Sequence, residues 1–254
     1  MKIITLNING IRSGISKGLM EYLEILKPDV VCLQEIKANE DQIPLMEFHA
    51  MGFVCAWFSA QKKGYSGTAI LSKIQPDNVV KGMGIEKYDN EGRFIRVDIN
   101  DISIVSVYHP SGTSGDERQA FKMHWLVDFH QHVDNLRKER PKLVLSGDYN
   151  ICHKEIDIHD PVGNKNNSGF LPEERDWMEK FFNDGFVDAF RHLNKEPHNY
   201  TWWSFRHNAR QNNKGWRIDY HVVTENLKHL VKNVHIDSQA FFSDHCPVIM
   251  DLDI

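Results

Sequence analysis

The sequence predicts an α/β domain, and three observations carry that reading. The opening segment runs strand, helix, strand: Lys2 to Asn9 is an apolar run ending in Asn7-Ile8-Asn9-Gly10, Leu19, Tyr22, Leu23 and Leu26 follow helical spacing, and Val30-Val31-Cys32-Leu33 is a short buried strand. Polar residues then collect at strand termini, where open α/β sheets keep their sites. No Gly/Ser-rich linker, low-complexity run or shift in composition divides the 254 residues, so 1–254 is expected to be one domain.

The elements follow in order. Pro28 stops the first helix, and the second strand delivers Gln34-Glu35 at its end. Gly52 to Phe58 and Thr68 to Leu71 read as strands around Lys62-Lys63-Gly64-Tyr65-Ser66-Gly67. That loop suits a ligand passing close to the backbone, and equally a plain Gly-rich hairpin. Arg93 to Ile99 and Ile102 to Tyr108 form a further pair of strands around Asn100-Asp101. Asp116 to Arg140 is a long helix with Trp125, Leu126, Phe129, Val133 and Leu136 on one face; its His124, His130 and His132 lack the i, i+4 spacing of a zinc pair. Pro172 opens a helix carrying Trp177 and Phe181. Tyr200 to Trp203 reads as a short aromatic strand, Gly215 to Val223 as a strand whose Asp219 needs a partner in apolar surroundings, and Val231 to Ile236 and Val248 to Leu252 as the last two.

The clearest chemistry lies in Leu143-Val144-Leu145-Ser146-Gly147-Asp148-Tyr149-Asn150. Continued strand geometry puts a carboxylate and an amide on one face; Gly, Asp and Asn also make an ordinary turn, and the stretch alone leaves both open. Asn7-Ile8-Asn9 is a weak internal echo of it, and two similar β-rich halves would bring these ends together. In Ser243-Asp244-His245 a lone His beside a strand reads as structural, and an Asp-His pair set with a second Asp from elsewhere as general acid–base chemistry; both stay open here. The polar loop His153 to Gly169 is long enough to be functional or disordered. Arg206, His207, Arg210 and Lys214 beside Trp202-Trp203 fit a nucleic-acid groove, or a solvated loop flanked by core tryptophans.

Composition narrows the class. With 30 basic and 35 acidic residues the formal charge is −5, which argues against holding nucleic acid by bulk charge but not against a local basic groove around an acidic site. Such a site needs a cation before a phosphate can approach. Cys32, Cys55, Cys152 and Cys246 show no CxxC spacing and read as reduced thiols in the cytoplasm, without structural zinc. No secretory signal and no membrane span are expected.

Taken together, Leu6-Asn7-Ile8-Asn9-Gly10-Ile11-Arg12, Leu33-Gln34-Glu35-Ile36-Lys37, Gly64-Tyr65-Ser66-Gly67, Glu91-Gly92-Arg93, Tyr108-His109-Pro110, Gly147-Asp148-Tyr149-Asn150, Gly215-Trp216-Arg217-Ile218-Asp219-Tyr220 and Ser243-Asp244-His245 resemble, in order and across the chain, the exonuclease III family of DNA-repair nucleases within the endonuclease/exonuclease/phosphatase superfamily. The resemblance implies a four-layered α/β sandwich, two packed, mainly antiparallel β-sheets flanked by helices. It implies 3′→5′ exonuclease, abasic-site endonuclease or 3′-phosphatase activity on double-stranded DNA with abasic or 3′-terminal sites, by a monomer in the cytoplasm or, in a bacterium, on the nucleoid. Glu35 is then the principal ligand of Mg²⁺ or Mn²⁺ with Asn7 nearby, and Asp148, Asn150, Asp244 and His245 surround the metal positions. Asp148 orients or deprotonates the water, Asn150 binds a phosphate oxygen, Asp219 keeps His245 basic beside the phosphate, and Tyr108 helps the leaving oxygen. Tyr65, Arg93, Asn164 and Asn167 contact backbone phosphates and Arg206 the DNA. Trp202, Trp216 and Ile218 line a pocket for a base-less sugar.

There are departures. Asp160 and Val162 stand where the family usually has Asn and often has Lys, which is expected to weaken backbone binding locally; Asn9 replaces an Asp carried by many relatives. The alternatives are another phosphodiesterase of the superfamily, acting on RNA or a phosphorylated small molecule, and a catalytically inactive DNA-binding relative.

Overall fold

A computed structural model describes residues 1–254. Its strands are β1 (Lys2–Asn7), β2 (Val30–Gln34), β3 (Val54–Phe58), β4 (Thr68–Ser72), β5 (Asn78–Lys81), β6 (Phe94–Ile99), β7 (Ile102–Tyr108), β8 (Lys142–Asp148), β9 (Phe186–Asp188), β10 (Asp219–Thr224), β11 (Val231–Ile236) and β12 (Val248–Leu252). They form two 6-stranded sheets, ordered β11-β12-β1-β2-β4-β3 and β5-β6-β7-β8-β10-β9. Each sheet has one parallel pair, β1 with β2 and β7 with β8, among antiparallel neighbours. Read in opposite directions the two orders match, with β1 corresponding to β8, β2 to β7 and β12 to β10. The echo between Asn7-Ile8-Asn9 and Asp148-Tyr149-Asn150 is therefore a repetition of the sheet plan.

Period-two alternation explains the layering. Ile3, Val30, Cys32 and Ile70 of the first sheet meet Val97, Ile104, Val144 and Val223 of the second in a shared core. The opposite faces bury Ile4, Leu6 and Leu33 under the Leu19–Leu26 and Leu45–Ala50 helices, and Val105, Val107 and Leu145 under the Asp116–Glu139 and Pro172–Asn183 helices. The result is helix, sheet, sheet, helix. A few polar links cross the shared core below the site: His221 Nδ1 lies 2.7 Å from Ser146 Oγ and Nε2 2.9 Å from Val248 O, and Gln34 Nε2 donates to Ser106 Oγ at 2.9 Å. Burial pushes His221 down to about 4, so its ring is a neutral bridge.

Three expectations need correction. Tyr200 to Trp203 is not a strand: Trp202 forms only isolated bridges, to Trp216 and His245, because the surrounding chain turns away. The strand expected from Gly215 begins at Asp219. The chain does not stay extended past Asn7 or Asp148, since Asn9 (φ 47) and Asn150 (φ 53) are left-handed, a conformation asparagine tolerates. All four cysteines are free, and no helix is long and apolar enough to cross a membrane.

Candidate active site

Strand ends from both sheets meet at one point. β1 and β8 face each other, and Asn7 Nδ2 donates to Asp148 Oδ2 at 2.9 Å. The neighbouring parallel strands β2 and β7 deliver Glu35 and Tyr108; burial, with the charges of Glu35 and Asp148, raises the Tyr108 phenol well above its usual range. β10 begins with Asp219, and the segment entering β12 carries His245, whose Nδ1 lies 2.8 Å from Asp219 Oδ2. Equivalent strands thus contribute opposite members of each cross-sheet pair.

Asp148 is 1% exposed. Its Oδ1 accepts from Asn150 N at 2.8 Å, while Oδ2 accepts from Asn7 and, at 3.2 Å, from Asn150 Nδ2. Of the two readings of this stretch the turn holds, and that turn brings Asp148 and Asn150 into the site. The β8–β10 register sets Asp219 opposite Asp148. Burial and then the Asp219 charge push Asp148 up to about 7, against the pull of His245. For His245, burial disfavours the charged ring, but Asp219, Asp148 and Asp244 outweigh it and raise the imidazole to about 10. An imidazolium therefore stands with Nε2 4.0 Å from Asp148 Oδ2. Asp244 is held by Asn9 Nδ2 (2.9 Å), Ser243 Oγ (3.0 Å) and Trp202 Nε1 (3.0 Å).

Glu35 sits in a left-handed turn (φ 50), accepts from Asn7 Nδ2 at 2.9 Å and pairs with Lys37 Nζ at 2.7 Å. Burial opposes its ionisation, yet Lys37 and Asn7 lower its pKa. Glu35, Asp148, Asp219 and Asp244 thus gather against Lys37 and the imidazolium, and Asp219 Oδ1 is buried without a hydrogen bond. That excess of hard oxygen donors fits a divalent cation. Ligand atoms of Asp148, Asp219 and His245 lie within 4.8 Å of one another, but a protonated ring tied to Asp219 is a poor ligand. Glu35, which lines the cleft, is better placed.

Several expected roles change. Asn7 is wholly buried, with Nδ2 spent on Glu35 and Asp148 and Oδ1 accepting from Asn9 N at 3.0 Å; it is a bridge, not an open ligand. Asn150 spends Nδ2 on His109 O (2.9 Å) and Asp148, which leaves Oδ1, an acceptor suited to water or a cation rather than to a phosphate oxygen. Arg93 is 1% exposed and cannot reach a phosphate: it pairs with Glu91, donates to Tyr108 O (3.0 Å) and Tyr65 Oη (3.1 Å), and lies 4.6 Å under the Tyr108 ring. Asn164 caps its own turn through His159 O and Asp160 O. Arg206 is exposed on its loop and does not line the cleft. Asp160 accepts from Gly163 N at 3.0 Å and caps the Pro161–Asn164 turn.

The cleft has a volume of about 670 Å³, with Trp202, Trp216, Ile218 and Asn167 around the acidic centre. The two tryptophans meet edge to face at 6.1 Å. Gly169 (φ +96) lets the wall approach, because a Cβ there would lie 2.9 Å from the Trp216 ring. Ser111, Thr113, Gln119, Asn166 and Ser168 also line the cleft. Sequence reasoning did not single them out: uncharged polar residues scattered over loops and the first turns of the Asp116–Glu139 helix carry no pattern. It also missed Arg118, which donates to Tyr65 Oη at 2.9 Å and holds that phenol together with Arg93.

Paired sheets whose strand ends gather a buried carboxylate, an imidazolium and hard oxygen donors beside one cleft carry equipment suited to hydrolysing a phosphate ester. The chain belongs to the Endonuclease/Exonuclease/phosphatase family, whose profile matches residues 4–245. It is 40% identical to an exodeoxyribonuclease of Bacillus subtilis (strain 168), with 100% of both chains covered. Among solved structures it is similar to an AP endonuclease from Archaeoglobus fulgidus (TM-score 0.91, 31% identity, 100% of both chains covered). It is likewise similar to the 3′ phosphatase NExo from Neisseria bound to a product DNA hairpin (TM-score 0.94, 28% identity, 100% of both covered).

Proposed function

We propose that this protein is a DNA-repair nuclease that hydrolyses phosphodiesters of double-stranded DNA, at abasic sites and at 3′ termini. The observation that carries the reading is Asp148, held between Asn7 and the Asp219–His245 pair against a cleft that Trp202 and Trp216 also line. With a pKa near neutrality, Asp148 is suited to orient a water and take its proton. The His245 imidazolium offsets charge developing on the phosphate oxygens, and Asp219 keeps it charged. Trp202, Trp216 and Ile218 offer an apolar recess for a sugar without its base, and Tyr65, aimed by its two arginines, offers a hydroxyl to a backbone phosphate. Glu35 would hold Mg²⁺ or Mn²⁺, which when bound supplies positive charge for the scissile phosphate and the leaving oxygen.

The test is a parallel assay on abasic duplex, blunt duplex and 3′-phosphate duplex with Mg²⁺, with chelator, and with Mg²⁺ restored. Cleavage of at least one substrate, lost with chelator and recovered with metal, is expected. Metal-restored protein that binds these duplexes and cleaves none is instead an inactive DNA-binding relative.

A further inference from the structure

Behind the site lies an ion pair that touches no surface of the cleft. Lys122 and Glu174 are both 0% exposed, with Nζ and Oε1 2.6 Å apart. Lys122 stands on a helix face otherwise filled by Trp125, Leu126 and Phe129, and Glu174 lies in the first turn of the Pro172–Asn183 helix. Burying two charges is costly, and apolar side chains often fill such a volume at equal or better stability. Here the charges are spent on backbone. Lys122 Nζ donates to Asn150 O at 2.8 Å, the carbonyl of a left-handed residue whose own N–H goes to Asp148 Oδ1. Glu174 Oε2 accepts from Gly169 N (2.6 Å) and Leu171 N (3.0 Å), and Oε1 from Ser168 Oγ (3.1 Å) and Gln119 Nε2 (3.1 Å). One pair therefore ties the turn carrying Asn150 to the cleft wall that approaches Trp216.

We infer that Lys122 and Glu174 are positioning residues: they set Asn150, and through it Asp148, against the Ser168–Leu171 wall. The inference rests on the nuclease function proposed above. Charge-assisted bonds hold these backbone atoms more firmly than neutral ones, and a misplacement of about 1 Å can cost about 100-fold in rate.

The primary variant combines Lys122→Met with Glu174→Gln. It removes both charges and keeps an amide oxygen near Gly169 and Leu171. It is expected to melt cooperatively, to lose about 30- to 100-fold in kcat on the cleaved duplex, and to change KM by less than about 3-fold. Lys122→Arg, which keeps a donor to Asn150 O, is expected to stay within about 5-fold of the parent. Parental kcat in the folded double variant, or a loss in Lys122→Arg as large as in the double variant, overturns the inference. Should that variant not fold, Lys122→Met with Glu174→Leu gives an apolar replacement on which the same outcomes are read. Amide hydrogen exchange of Glu174→Gln supplies a readout without activity: faster exchange confined to residues 165–171 supports the pair as the anchor of the wall, and unchanged exchange there refutes it. If the parent protein cleaves no DNA, the proposed function falls, and the exchange result alone decides the positioning role.

Discussion

Asp148 and His245 sit 4.0 Å apart with opposite needs, one to lose a proton readily and the other to keep it. Burial and Asp219 raise Asp148 to about 7, and the surrounding carboxylates raise His245 to about 10. At neutral pH the imidazolium is retained while the carboxylate can exchange its proton. Asp148→Asn should therefore lower kcat by about 10²- to 10⁴-fold while duplex affinity, followed by fluorescence anisotropy, stays within several-fold. Parental cleavage by that variant would remove Asp148 from the mechanism. His245 works in its protonated form, so its contribution persists below about pH 10 and is lost as pH rises through that value. Asp219→Asn takes away the partner that raises it, and the alkaline limb of the kcat/KM profile should move toward neutrality; an unmoved limb would show that Asp219 does not control the ring. Glu35→Ala should raise the Mg²⁺ concentration needed for half-maximal rate, and an unchanged metal dependence would count against Glu35 as ligand. At this scale the identities of the central groups were legible, because acids and imidazoles at strand ends are conspicuous. Whether Asn7 or Asn150 offers a donor or an acceptor was not, since that depends on partners arriving from the other sheet.

The loop from His153 to Gly169 and the segment carrying Trp216 are joined by a buried charge network. Arg217 Nε donates to Asp157 Oδ1 at 2.7 Å and Nη2 to Asp188 Oδ2 at 2.6 Å, while Arg191 Nη2 lies 2.8 Å from the same Asp157 oxygen. Burial opposes the Asp157 charge, but Arg217 and Arg191 lower its pKa from 3.8 to about 2. Because the folded value lies below the ordinary one, this stabilisation is present above about pH 4 and lost as pH falls through about 2. Asp157→Asn should cost about 3 kcal/mol at pH 7, visible as a drop of roughly 6 to 12 °C in Tm, and should flatten the loss of stability between pH 4 and pH 2. An acid limb as steep as the parent's would place the titrating group elsewhere. Little that is local announces this network: Asp157, the turn carrying Asp188 and Arg191, and Arg217 come from three separate stretches of chain and meet only in the folded molecule. The short elements escaped for a related reason. β5 is largely exposed and β9 has three residues, so neither carries a run of alternation long enough to read.

Across the whole molecule, the two sheets share one core and one site. Residues of both pack in the central layer, and the Asn7–Asp148 and Asp219–His245 contacts cross between them. Neither sheet can shed the other without exposing that layer, so thermal unfolding is expected to be a single transition with calorimetric and van't Hoff enthalpies in agreement; two resolved transitions would contradict a single domain. The apolar runs of β1, β2, β7 and β8, the long helix face from Trp125 to Leu136, and the acids and amides at strand termini were set by the sequence alone, since they depend on periodicity and side-chain chemistry within one element. Tertiary structure decided which polar atoms stay open. It buried Arg93 beneath Tyr108, closed Asn7 into a bridge, turned Asp160 into a cap and placed Lys122 behind Asn150. Those outcomes depend on distances between residues far apart in the chain, and hydrogen-bond capacity is assigned only when the partners are in place.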